Sequence, residues 1–149
     1  MAEDERGASS QMEVVRMPDM KPTREQHRAQ VAFTKVSDIR GKSWAPDYGR
    51  QCMHLPALIH HCGLCQALTF LQAKGADETK KPWFSALLND LAAATKIATN
   101  SQTLLQKVRE ADVKQYQRMT HEALACAQWF QRYAEAILKV ELGADGGKE

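Results

Sequence analysis

A chain of 149 residues, 44% of them apolar, supports one domain burying about two-thirds of its unfolded surface. The absence of alternating Val, Ile and Thr runs excludes a strand-rich fold and favours an all-α one. Charge is uneven: residues 1–21 hold five acids and three bases, while residues 22–142 hold eleven acids and sixteen bases, a mildly basic body that suits a polyanion partner without demanding one.

The longest apolar stretch, 55–71, is interrupted by His60, His61, Gly63 and Gln66 and falls short of the ~20 residues of a membrane span, so no membrane is expected. Acids stand where a signal peptide starts basic, which predicts a cytoplasmic chain whose 4 cysteines stay reduced. Residues 1–21, polar and aperiodic, predict a mobile N-terminal arm. The helical domain is expected over 22–142 and a frayed tail over 143–149.

Thr23 and Gln26 have capping-box spacing, and Ala29, Ala32, Val36 and Ile39 make the apolar stripe of a first helix, with Arg24, Arg28 and Lys35 on its polar side. Pro46 and Asp47 suit a second start, and Pro56 predicts its end, leaving a short helix before a long, all-round apolar one from Pro56 to Ala73 that Gly75 closes. After the charged loop 76–81, Pro82 opens a fourth helix through Trp83, Leu87, Leu88, Leu91 and Ile97, carrying Lys96 on its last face. Asn100 or Ser101 caps a fifth with Leu104, Leu105 and Val108, and Asp112 begins a further short stretch. Around Thr120 a last helix starts, running from Ala123 through Cys126, Phe130, Ala134 and Ile137 to Leu142, with Gly143 as its stop. The fold expected is a single compact bundle of about six helices.

Chemistry is sought first at His60-His61-Cys62-Gly63-Leu64-Cys65. A structural zinc site needs four converging ligands, usually two close pairs, and only one close Cys pair exists. A redox Cys-x-x-Cys sits at a helix N-terminus after a strand, whereas this pair is expected mid-helix, both thiols acting as small hydrophobes. Neighbouring helical residues point about 100° apart, so His60 and His61 cannot both face one ligand set; one is read as a boundary residue and the other as partly exposed. No Glu-x-x-His pair, His-Glu-x-x-His, P-loop or Gly-x-Ser-x-Gly is present, and His121-Glu122 reads as capping and solvation. No enzyme, metal or cofactor is expected.

Tyr48-Gly49, Leu55-Pro56, Gly63-Leu64 with Gln66, Leu68 and Phe70, Trp83, and Thr120 to Leu124 with Arg132-Tyr133-Ala134-Glu135 resemble, in this order, one family: the small helical subunit of the CRISPR type III-B effector, the Cmr complex. The resemblance covers about residues 23–142 and rests mostly on core positions. It implies an all-α subunit without nuclease activity that stacks with copies of itself beside the guide-binding backbone subunits and supports crRNA and target RNA, target cleavage lying with the backbone and nucleotide or DNA chemistry with the large subunit. The acidic arm and the thiols and imidazoles around Gly63 have no counterpart in what it implies.

RNA held by such a body is gripped through phosphates, its shape rather than its bases being read. Candidate contacts are Arg40 and Lys42 after helix one, Arg50 in the second helix, Lys114 and Arg118 before the last, and Arg132 and Lys139 on its polar face. For each the competing reading is a solvated charge, in which case Lys80, Lys81 and Lys96 become the next face to consider. The alternative for the whole chain is a free-standing helical protein-interaction or metal-binding domain.

Overall fold

The computed structural model describes residues 20–140. The predicted arm, apart from Met20 and Lys21, lies outside them, as do the predicted tail and the Gly143 stop. Every regular element among the described residues is a helix: α1 (Arg24–Ile39), α2 (Ala45–Cys62), α3 (Leu64–Lys74), α4 (Pro82–Thr95), α5 (Ser101–Glu110) and α6 (Val113–Ile137). The expected all-α bundle of six helices is therefore what folds, with different boundaries at three places.

The starts are set locally. Gln26 N–H donates to Thr23 Oγ1 at 3.0 Å and Thr23 N–H to the Gln26 side chain at 2.8 Å, closing the capping box at α1. Asn100 accepts from Thr103 N–H at 2.8 Å to cap α5, and Pro82 occupies the first turn of α4, where its missing N–H costs nothing. With 25 residues, α6 is about 37 Å long. It forms the spine on which α1 and α2 lie, and α3, α4 and α5 complete the bundle. Ala32, Val36, Tyr48, Leu55, Ile59, Leu68, Leu87, Leu91, Leu104 and Phe130 meet in one buried core. Each of the larger ones contributes about 1.5–3 kcal/mol by leaving water.

The first difference is at Pro56, which lies inside α2 instead of ending a helix. Proline gives the Cys52 carbonyl no N–H partner, but the turn is held from outside, Gln131 Nε2 of α6 donating to the Met53 carbonyl at 2.9 Å. The break falls at Gly63, whose φ of 84° and ψ of 159° lie in a region essentially closed to residues with a Cβ. Displacing the break resets the helical phase, so Cys62 is exposed at the end of α2 and Cys65 half-buried in α3 instead of both facing apolar neighbours.

The second difference is α6, which is continuous from Val113; Thr120 starts nothing. Asp112 and Gln115 make a full capping box there, and a helix already nucleated propagates through Thr120 at little cost. Its other end comes at Ile137, before Leu142. Third, α4 stops at Thr95, before Ile97, with Lys96 turning into the left-handed region.

Candidate nucleic-acid interface

A groove of about 1080 Å³ opens between the first turns of α6, α5, the α4–α5 connection and the start of α1. Lys114, Gln117, Arg118 and His121 line it from α6, a run at the helical repeat that keeps one face turned inward. Lys107 enters from α5, Lys96 from the end of α4 and Arg24 from α1. Five cationic side chains thus share the groove with two carboxylates, Glu110 and Glu122. Among the described residues, Lys96, Lys107, Lys114 and Arg118 form no ion pair. Lys107 is tethered otherwise, its Nζ donating to the Ile97 carbonyl at 3.0 Å.

Glu122 closes the floor. Its side chain is only 10% exposed, and it accepts from Arg28 Nη2 at 2.6 Å and Nε at 2.9 Å and from Arg24 Nη2 at 2.7 Å. Burial alone would push this carboxyl up; the hydrogen bonds and charges of the two arginines reverse that and hold it at about 2. The Arg28 guanidinium is raised in turn, chiefly by its hydrogen bond to Glu122. Burial, then the Glu122 carboxylate, drives the Cys126 thiol well up, leaving it a proton donor to Glu122 Oε2 at 3.5 Å. His27 is lowered by burial and then by the charges of Lys96 and Arg24, which favours neutral imidazole beside the cations. Glu122 is therefore a buried anchor between α1 and α6, and not the solvated capping residue that its place beside His121 suggests.

Of the seven sequence-predicted contacts, the structure brings two, Lys114 and Arg118, into this groove. Arg40 and Lys42 are exposed at the α1–α2 connection, Lys42 Nζ lying 5.6 Å from the Trp44 ring centre. Arg50 is half-buried and paired with Asp47. Arg132 is exposed about 21 Å along α6 from Arg118, and Lys139 follows the helix end. Arg24 escapes sequence reasoning because α1 meets α6 only through tertiary packing, and Lys107 because residue spacing does not set the direction in which the two-residue connection at Ala111 and Asp112 turns α5 against α6. The i, i+4 pair Lys114–Arg118 was the local signal available.

Elsewhere, Tyr48 OH donates to Asp90 Oδ2 at 2.6 Å inside the α2–α4 contact, and burial pushes the Tyr48, Cys52 and Asp90 groups all upward. His60 and His61 are both exposed, neither at a core boundary. Among the described residues no cluster of three or more His, Cys, Asp or Glu side chains is arranged to hold a metal ion, and no helix is long and apolar enough to cross a membrane.

An open, cation-lined groove on a core of six helices defines an all-α domain with a cationic concavity. Comparison with known proteins places it more narrowly. The family model described as CRISPR-associated protein (Cas_Cmr5) matches residues 24–137, from the first residue of α1 to the last of α6. The CRISPR system Cmr subunit Cmr5 of Thermus thermophilus is 37% identical over 117 residues, covering 78% of this chain and 97% of that protein. The X-ray crystal structure of a CRISPR-associated Cmr5 family protein from Thermus thermophilus superposes with a TM-score of 0.73 at 36% identity, covering 79% of this chain and 99% of that one. The chain belongs to the Cmr5 family and is a CRISPR Cmr subunit.

Proposed function

We propose that the chain is a non-catalytic scaffold of a crRNA-guided type III-B effector complex in antiviral defence. It stacks with copies of itself beside the backbone and large subunits and supports crRNA and target RNA in the cytoplasm. The observation that carries this reading is the groove in which Lys96, Lys107, Lys114 and Arg118 converge without carboxylate partners among the described residues. Charges that only solvate a surface have no reason to line one concavity, whereas phosphates passing along it would be met from several elements. The non-catalytic part is supported by the surroundings of its acids and bases. Glu122 is consumed by two arginines, and half-buried Asp90 accepts from the Tyr48 hydroxyl.

The test is target-RNA binding by the assembled complex carrying Lys114→Ala with Arg118→Ala. Each lost phosphate contact should flatten the dependence of log K on log salt by roughly 0.7 for a single strand, and affinity should fall about equally for every matched guide and target. Sequence-selective loss would mean base readout, and an unchanged slope with unchanged affinity would remove the groove from RNA binding. Co-purification with a crRNA-containing assembly separates this reading from the free-standing domain.

A further inference from the structure

Two residues other than glycine have a positive φ among the described residues, and both are lysines: Lys96 at 60° and Lys139 at 61°. Left-handed backbone crowds the Cβ of an L residue against its own carbonyl, which is why helices that end this way favour Gly or Asn there. Lys96 ends α4 in this conformation, with ψ of 11°. Its surroundings add a second disadvantage. The ammonium shares the groove with Arg24, Lys107, Lys114 and Arg118, and no carboxylate pairs with it among the described residues. Backbone state and like-charge crowding both argue for a neutral, flexible residue at this position, yet a cation stands there and lines the concavity.

Building on the polyanion-groove reading above, we propose that Lys96 is a phosphate-contacting residue held at the cost of fold stability, its left-handed backbone carrying the ammonium out of the α4 axis and into the groove opposite Lys114 and Arg118. Non-glycine residues in such conformations persist where the surrounding structure over-determines them, and they cluster at binding sites. Lys139 shares the backbone state but lies outside the groove, so it supplies an internal comparison.

The full chain is titrated with a fluorescently labelled oligouridylate across a range of KCl concentrations, and thermal midpoints are measured on the same samples. For Lys96→Gly the expected result is a midpoint equal to or above that of the parent, with weaker binding and a salt slope reduced by roughly 0.7. Lys96→Arg should keep the slope, and Lys139→Gly should match the stability change without the loss of binding. Opposite movement of stability and affinity is the signature, because a left-handed lysine with no phosphate to hold would move stability alone, as Lys139 is expected to. A Lys96→Gly variant with parental affinity and slope would overturn the inference on its own if Lys114→Ala with Arg118→Ala still weakens binding. If that double variant is also without effect, or the parent shows no salt-dependent binding, the groove reading falls and this inference with it. A lowered midpoint in Lys96→Gly would overturn the claimed trade-off.

Discussion

At the residue scale the Arg24–Glu122–Arg28 cluster is where sequence and structure part most. Adjacent to His121 on a polar stretch, Glu122 looks like a surface acid, and only the docking of α1 against α6 shows that it is 8% exposed. Removing one partner of a buried ion pair leaves the other charge stranded, typically a loss of about 3–5 kcal/mol. Glu122→Gln keeps an amide oxygen to accept one arginine N–H, so the expected loss at neutral pH is near the lower end. The pH dependence follows from the sign of the shift. The folded-state carboxyl lies below its ordinary 4.5, at about 2. Its contribution is therefore complete above 4.5 and drains away as pH falls through that window. Chemical denaturation of parent and Glu122→Gln from pH 7 to pH 2 should show the difference between them shrinking with acid; parallel curves would mean that the carboxylate is not what holds α1 to α6. The cysteines give a second residue-level check. Exposed Cys62 should react with a maleimide first, Cys65 more slowly, and Cys52 and Cys126, buried with raised thiol pKa values, only on unfolding. Labelling of Cys126 in the native protein at the rate of Cys62 would contradict the buried floor.

Among elements, the α2–α3 junction shows what one sequence can and cannot disclose. Pro56 is a strong local signal and predicts a boundary; the packing of α2 on α6 overrides it, because Gln131 reaches the Met53 carbonyl in the turn that proline disturbs. Gly63 was visible in the sequence, but its left-handed, extended conformation was not. The new helix that follows has no side-chain cap of its own, and the Tyr116 hydroxyl of α6 accepts from Cys65 N–H at 2.9 Å in place of one. Capping boxes at Thr23 and Asp112 and the cap at Asn100 are legible because donor and acceptor lie three residues apart; a cap supplied 51 residues away is not. Gly63→Ala should cost about 1–3 kcal/mol from backbone strain. A Cβ there meets Tyr116 Oη at 3.4 Å, an ordinary contact, so crowding adds little. Tyr116→Phe leaves the Cys65 N–H without its acceptor and should cost about 1 kcal/mol. Urea midpoints for the two variants measure both, and a Gly63→Ala protein as stable as its parent would mean that the break relocates freely, contrary to the junction described.

On the scale of the whole molecule, the apolar repeats made the bundle readable, since six stripes of the right period can bury their faces only against one another. The groove was half readable: Lys114 and Arg118 announce a face of one helix, but the turn that folds α5 back toward it with Lys107, and the packing that brings Lys96 and Arg24, are not set by residue spacing. That face is also where the fold is thinnest. α5 is 10 residues long and buries three side chains, Leu104, Leu105 and Val108, while Val113, Lys114, Gln115, Gln117 and Arg118 of α6 are exposed. Further along, α6 buries Ala123, Cys126, Ala127, Phe130 and Ala134 between α1 and α2. Few buried apolar contacts place a segment at the low end of local opening free energies, whereas a segment packed on all sides approaches the global value. Native-state hydrogen exchange should accordingly find α5 and the first two turns of α6 opening well before the Ala123–Ala134 stretch and α2. A ligand that binds the native groove slows exchange only where its contacts must break for the amide to open. Adding oligouridylate at low salt should therefore protect α5, the α4–α5 connection and residues 113–121, with no change at the Arg40–Lys42 connection. Protection confined to that connection, or to the Arg132 end of α6, would move the RNA-facing surface to the cations outside the groove.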